Sequence, residues 1–351
     1  MIAWFRYICL IVSLIITMPE LLSAQRLVSQ RQEDVEAGLL YNESVYILSN
    51  YSCLSSNSPE KLSLDELLRK QIEGFYFYLK RDTETNVLLL RKPDGTFTPF
   101  SESLEAIKTA LDADSTKVMT LFLDFYVETE LESSFKEIGL MEYVLEYDTK
   151  NGWPSLKDML SSGKRLVVFE VQKHLNSPSW LHNMRDFVEH TDADWGNQPE
   201  GVESFDERLK KNLSLFTGYK FLETSRGNSN DISALARQTP YLIESFKRAW
   251  IRDGRVPNFI LVDKYYAWLD VSLVTFRNFD IIYGAVTNNN ELLNYVNWDG
   301  MSNYTTGKYC FPLEPGAELM LSPISPGYRI EPATVYVSGT QRKAFASDFK
   351  A

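Results

Sequence analysis

Two apolar patterns alternate along most of this chain. Short continuous runs recur at Val45–Leu48, Phe75–Leu79, Val87–Leu90, Val118–Asp124, Arg165–Val171, Leu213–Phe216, Asn258–Asp263 and Phe279–Gly284. Between them lie segments with apolar residues at helical spacing. Leu62–Ile72 opens with Ser63 as an N-cap, and Ser101–Leu111 keeps Leu104, Ile107, Ala110 and Leu111 on one face. Ser133–Leu145, Pro154–Leu160, Ser204–Leu213, Tyr241–Ile251, Val271–Phe276 and Glu291–Trp298 read the same way. A strand with no polar alternation is buried on both faces, as a parallel strand covered by helices is. About eight such strands fit between Val45 and Gly284, so the predicted fold is α/β, a (β/α)8 barrel of the TIM type. An open doubly wound sheet is the second choice. No Gly-rich loop follows a strand, which weighs against dinucleotide-binding and P-loop versions.

The ends differ from the middle. Arg6, the apolar run Ile8–Met18 and the small residue Ala24 have the layout of a secretory signal peptide, predicting an exported protein with residues 1–24 removed. That run is too short for the roughly 20 residues a membrane span needs, and no other segment qualifies. The barrel is expected over 25–300. After Gly300 prolines recur at 312, 315, 323, 326 and 332, and 301–351 is expected to be an irregular or β tail with a strand near Ala333–Val337. The net charge of −11 argues against a nucleic-acid partner, which needs a basic patch. Without the leader, Cys53 and Cys310 remain: one disulfide or two separate thiols, and no zinc motif.

In a barrel the chemistry sits just after the strands, at their C-terminal ends. The groups falling there are Ser49–Ser52, Lys80 and Arg81, Arg91 and Lys92, Asp124–Glu128, Glu170–His174 and Asp263–Tyr265. Asp124 with Glu170 is the kind of carboxylate pair a glycosidase uses. The chain has three histidines, His174, His182 and His190; the last two were expected to share a helix face, and only His174 to approach the mouth. The polar stretch Ser225–Asp231 precedes a helix, which Ser229 or Asp231 can cap, and its amides with Arg226 can hold an anion.

Several segments together resemble the X-type catalytic domain of phosphatidylinositol-specific phospholipase C, in its secreted single-domain branch. They are Val118–Val127 after the Leu104–Leu111 helix, Gly152-Trp-Pro-Ser-Leu-Lys-Asp-Met159 followed by Arg165–Phe169, and Pro257–Tyr265. The resemblance spans about Tyr41–Trp298 and implies a distorted β/α barrel that cleaves phosphodiesters with a histidine base and a histidine acid. Histidine suits both roles because it titrates near working pH. Here the family-equivalent positions hold other residues. Asn50, in Ser49-Asn50-Tyr51-Ser52, stands where the first histidine belongs, and Arg91 or Lys92 where the second does. Gly74-Phe75-Tyr76 lacks the strand-two arginine, and Leu79 occupies a calcium-ligand position, so no cofactor is expected, with calcium the one alternative the resemblance leaves open. Arg81 matches an arginine that stands in for the metal in metal-independent members. Asp124 and Asp263 remain at strand ends. Tyr51, Tyr76, Arg226, Asn228 and Tyr265 are the expected ligand contacts, for a phosphorylated or polyol small molecule or a lipid headgroup. Two readings follow: a barrel that has lost the reaction and binds, or a phosphodiesterase with rearranged groups drawn from Arg81, Asp124, Asp263, Lys92 and His174.

Overall fold

The computed structural model describes residues 31–49, 51–53, 63–70, 72–125, 131–172, 174, 177–192, 215–219, 258–262, 278–298, 301–305, 307–339 and 343–351. Its first ten strands are β1 (Tyr46–Ser49), β2 (Gly74–Arg81), β3 (Leu88–Arg91), β4 (Phe97–Pro99), β5 (Met119–Asp124), β6 (Leu166–Glu170), β7 (Leu181–Asn183), β8 (Val188–Asp192), β9 (Leu215–Tyr219) and β10 (Phe259–Val262). They form one sheet along the path β7-β6-β5-β2-β1-β10-β9-β8, with β3 and β4 attached to β2. Every pairing along that path is parallel. Besides the helical residues 31–36, the helices with described bounds are α1 (Leu64–Arg69), α2 (Phe100–Ala113), α3 (Leu131–Ile138), α4 (Leu156–Ser162) and α5 (Met184–Phe187).

Two starts are written in the sequence. Ser63 accepts the Glu66 amide at 3.3 Å while Glu66 returns a bond to the Ser63 amide at 2.7 Å, a reciprocal capping box. Ser155 caps α4 by accepting from Asp158 at 3.1 Å.

The sheet curls into a barrel. Phe259 on β10 lies 5.2 Å from Phe122 on β5 and 6.2 Å from Phe169 on β6, strands that are not its neighbours, so these rings meet across an interior. Hydrogen bonding leaves the ring open between β7 and β8. The chain bridges that opening itself, since β7, α5 and β8 follow one another without a break. This one interrupted strand pairs first with β6 and then with β9. The barrel is therefore distorted, and 181–192 are strand, turn of helix and strand, where the sequence suggested one helix carrying His182 and His190.

Gly74 shows how tightly the wall is drawn. A Cβ there would lie 2.2 Å from Leu48 Cδ2 and 2.2 Å from the Thr120 carbonyl oxygen. At the N-terminal end Arg31 is buried, bonded to Glu73 and, at 3.3 Å, to Asp34, with the Tyr46 ring 4.7 Å away. Arg165 of the resemblance run is also structural: its guanidinium donates to the carbonyls of Leu111, Asp114 and Lys117 at 2.9, 2.6 and 3.1 Å, closing the end of α2. Trp153 packs 4.9 Å from Tyr41 and 5.7 Å from His182 beneath the barrel core.

The C-terminal part departs from expectation. Its strands are β11 (Asp280–Asn288), β12 (Glu291–Leu292), β13 (Val296–Trp298), β14 (Met301–Thr305), β15 (Lys308–Leu313), β16 (Glu318–Leu321), β17 (Pro323–Ile324), β18 (Val335–Ser338) and β19 (Lys343–Lys350). Phe279–Gly284 does become a strand, but β11 pairs with β12, β15 and β19 and not with the barrel sheet. Glu291–Trp298, expected as a helix, is two short strands. Asn289 and Asn290 adopt φ of 52° and 68°, the conformation of a two-residue hairpin turn, and turn the chain back on β11. Ile282, Val286, Trp298, Tyr309 and Phe311 form a separate core. Ile281 and Cys310, on the other face of the same two strands, join the core of the barrel. Among the described residues no helix is long and apolar enough to cross a membrane.

Candidate functional site

Which side chains enter the barrel follows from register. Directly paired residues project to the same face of a sheet and neighbours along a strand to opposite faces. Phe122 is inward, so Asp124 on the same strand is inward too. Tyr76 pairs with Phe122 and Tyr78 with Asp124, which places both tyrosines inside. The geometry agrees: the Tyr76 hydroxyl donates to Asp124 Oδ2 at 2.8 Å, and Gln172 Nε2 donates to Oδ1 at 3.4 Å. Tyr76 is buried, while Tyr78 and Asp124 are partly exposed at the rim.

The same parity continues past the barrel into the hairpin lip. Leu79 and Leu90 pair and are both buried, on the helix-covered side. Lys80 pairs with Leu89, and Arg91 with Phe97, on the opposite side, which is that of Tyr76 and Tyr78. Lys80 Nζ sits 3.6 Å from the centroid of the Phe97 ring. Ser52 fixes this lip, accepting from the Tyr78 amide at 2.7 Å and donating to the Arg91 carbonyl at 3.0 Å.

Several expected site residues are not part of this group. Arg81 pairs with Leu88 and shares the outward face with Leu79. Tyr51 is packed edge-on against the outward-facing rings Phe75 and Phe77 at 6.4 and 5.8 Å. Burial pushes its hydroxyl up to about 12, with Asp94 and Asp65 adding to the shift. It is a core residue and not a ligand contact. Lys92 opens the tight turn through Gly95, its amide donating to the Thr96 carbonyl at 2.8 Å. Asn50, Asp263, Tyr265, Arg226 and Asn228, with Ser229 and Asp231, lie outside the described residues, as does the leader.

Glu170 pairs with Leu123, one residue out of phase with Asp124, and so faces away from the barrel interior. The two carboxylates do not converge, which removes the glycosidase arrangement. Glu170 is an anchor: His174 Nδ1 lies 2.9 Å from Oε2, the Ser177 hydroxyl donates to Oε2 at 2.5 Å, and Asn183 donates to Oε1 at 3.2 Å. The His174 ring stacks on outward-facing Phe125 at 4.4 Å. His182 does face inward, paired with Phe169, but it is buried at mid-barrel and donates from Nε2 to the Leu145 carbonyl at 3.2 Å. Burial holds it below the usual histidine range, keeping it neutral. His190 is on β8, and its side chain is not described.

Tyr78 was missed from sequence, and Lys80 and Gln172, though among the strand-end groups, were not chosen as ligand contacts. The signal for Tyr78 and Lys80 was present: once Tyr76 points inward, period two carries both with it. No group of three or more potential metal ligands occurs among the described residues.

Residues 90–199 match the PI-PLC X family, as PI-PLC X 1. Among solved structures, the chain is similar to the phosphatidylinositol-specific phospholipase C from Listeria monocytogenes, at 12% identity and TM-score 0.44, covering 70% of this chain and 98% of that one. A variant of the phosphatidylinositol-specific phospholipase C from Staphylococcus aureus is similar at 13% identity and TM-score 0.42, covering 68% of this chain and 97% of that one. No curated protein matches. Over residues 90–199 the chain is thus similar to the PI-PLC X family, as its motifs implied.

Proposed function

We propose, from the premise that this chain is a PI-PLC X-like member of the phospholipase C-like phosphodiesterase superfamily, that it is an exported protein which binds a phosphorylated or polyol ligand at the barrel mouth without cleaving it. The observation that carries this reading is the composition of the inner face. On β2 and β5 it presents Tyr76, Tyr78, Lys80 and Asp124, and no histidine. Asn50 and Arg91 or Lys92 stand at the two histidine positions of the family resemblance. An amide takes up no proton near neutral pH, and an arginine does not release one. His174 is committed to Glu170 on the outer side, and His182 to a backbone carbonyl in the core. Among the described residues, what is left at the mouth can accept, donate and attract, which is the chemistry of binding. The charged, apolar and small-residue order of the first 24 residues supports export.

The test is hydrolysis of phosphatidylinositol and of simple phosphodiesters by the purified protein, with and without calcium, beside calorimetric binding of the same headgroups. Binding without turnover is expected. Turnover abolished by Asp124→Asn would overturn the non-catalytic reading and favour a phosphodiesterase with rearranged groups.

A further inference from the structure

The C-terminal β unit carries an outward face that has no part in the barrel. Burial alternates along 318–326, with 321, 323 and 325 buried and 318, 320, 324 and 326 exposed. This extended segment is β16 in its first half and β17 in its second, so its even-numbered residues form one outward row across two small sheets. Met320 pairs with Tyr336 of β18, and Ile324 with Asn297 of β13, which puts those partners on the same outward side. Between the two pairs the hydroxyls of Ser322 and Thr334 lie 2.9 Å apart. At the far end the Ser325 hydroxyl donates to the Tyr295 carbonyl at 2.7 Å, which places Tyr295 at the Pro326 end of the row. The rings of Tyr336 and Tyr295 stand out from this strip, 75% and 67% exposed.

Three properties narrow what lies on it. The strip is uncharged: 292–298, 319–328 and 332–339 hold no charged residue, in a chain that is 24% charged. A bilayer surface carries phosphates, and the strip has no cation to meet them. It is also narrow. Two strands wide along 318–326, it covers roughly 10 by 27 Å, about a third of the ~800 Å² per partner that a stable protein interface needs. That is too little for a second copy of this chain. Finally, its backbone is already paired, β16 with β18 and β17 with β13. An extended peptide adds to a free strand edge and gains no main-chain bonds by lying across such a face.

A single uncharged chain rich in hydroxyls meets all three conditions. Tyrosine offers it a flat apolar ring with a polar tip. From Met320, opposite Tyr336, to Pro326, at Tyr295, is about 20 Å of strand, so a run of several sugar rings reaches both tyrosines. The Ser322 and Thr334 hydroxyls share one bond and keep a donor and lone pairs for a ligand. Asn297 accepts the Trp298 amide at 2.9 Å through Oδ1, and its NH2 group remains to donate.

We propose that this strip is a glycan-binding surface. It holds an uncharged polysaccharide whose sugar rings stack on Tyr295 and Tyr336 and whose hydroxyls meet Ser322, Thr334 and Asn297. The surface is separate from the barrel mouth and does not depend on what the mouth binds.

The experiment is depletion of the full purified protein from solution by insoluble cellulose, chitin and mannan. Retention is expected on at least one of them, little changed by salt because no charge takes part. Tyr295→Ala and Tyr336→Ala should each weaken it about five- to tenfold, and the double variant should lose it. Tyr295→Phe and Tyr336→Phe keep the ring and should stay closer to the parent than the alanine variants do. Both side chains are exposed, so a thermal melt matching the parent separates loss of contact from loss of fold. No retention on any of the three polymers, retention unchanged in the double alanine variant, or release by salt alone would overturn the surface. So would sedimentation with phosphatidylcholine vesicles, or dimerisation, through the same two tyrosines in place of polysaccharide binding. Headgroup binding at the mouth, measured by calorimetry, should be the same in the double variant and the parent. Its absence from both would sink the barrel reading and leave the glycan surface standing.

Discussion

Replacing Glu170 separates a structural carboxylate from a chemical one. Its side chain is 2% exposed and receives three donors, from His174, Ser177 and Asn183. Glu170→Gln keeps the shape and removes the charge. The new amide nitrogen is best accommodated at the Oε2 position, where the Ser177 hydroxyl can rotate to accept and His174 can exchange tautomer. Each charge-assisted bond then becomes a neutral one, a loss of roughly 1 kcal/mol apiece, so about 2–3 kcal/mol in all. Glu170→Ala leaves all three donors unmatched and should cost roughly 4–5 kcal/mol. Urea denaturation followed by fluorescence measures both, and hydrogen exchange should show faster opening around 171–183. Ligand affinity at the mouth should stay within about twofold in the Gln variant, because Glu170 faces the other side of the sheet. A Gln variant with parental stability and abolished binding or turnover would refute the assignment of Glu170 and His174 to the outer wall.

Further predictions follow from the same geometry. Gly74→Ala forces a Cβ against the Thr120 carbonyl oxygen and Leu48, and should destabilise by about 3 kcal/mol in the same urea assay, or prevent folding. Asp124→Asn and Tyr76→Phe should leave the thermal melt nearly unchanged, since Asp124 is partly exposed, yet weaken polyol binding about tenfold each by calorimetry. His182 is held below its ordinary value of 6.5 by burial, so the folded state carries fewer protons than the unfolded one. Its contribution is complete above the unfolded value and is lost as pH falls below it. Stability compared at about pH 8 and about pH 5 should fall more in the parent than in His182→Gln.

The strands of the barrel were legible because burial on both faces removes polar residues from them. Leu166–Glu170 is apolar up to its last residue, and Met119–Asp124 is so apart from Thr120. The motifs carrying the family resemblance were legible for a related reason. Trp153 and Arg165 are packing and capping residues, so the fold constrains them whether or not chemistry survives. Much of the site was harder to read. Asp124 and Glu170 look alike in sequence, each closing an apolar strand, and only the pairing of Glu170 with Leu123 shows that they face opposite ways. Arg81 was chosen from sequence and Lys80 was not, yet one step of strand parity puts Lys80, not Arg81, on the face of Tyr76 and Tyr78. Glu291–Trp298 was misread because Leu293 and Val296 satisfy a helical spacing as well as a hairpin, and the tertiary partner, β11, decided it. The Asn289-Asn290 turn was the local clue.

The sheet of β11 and β15 contributes buried residues from both of its faces. Ile281 and Cys310 close one hydrophobic core and Ile282, Tyr309 and Phe311 another, so two adjacent rooms share one wall. Lys343, which bonds Glu43 at 2.5 Å, fastens that wall's far strand to the entrance of β1. Dissection of this protein by truncation is therefore constrained. A chain ending near Gly300 would retain half of the partition and expose its inner surface, so the two halves should melt together and be inherited together, not behave as an enzyme-like head with a dispensable tail.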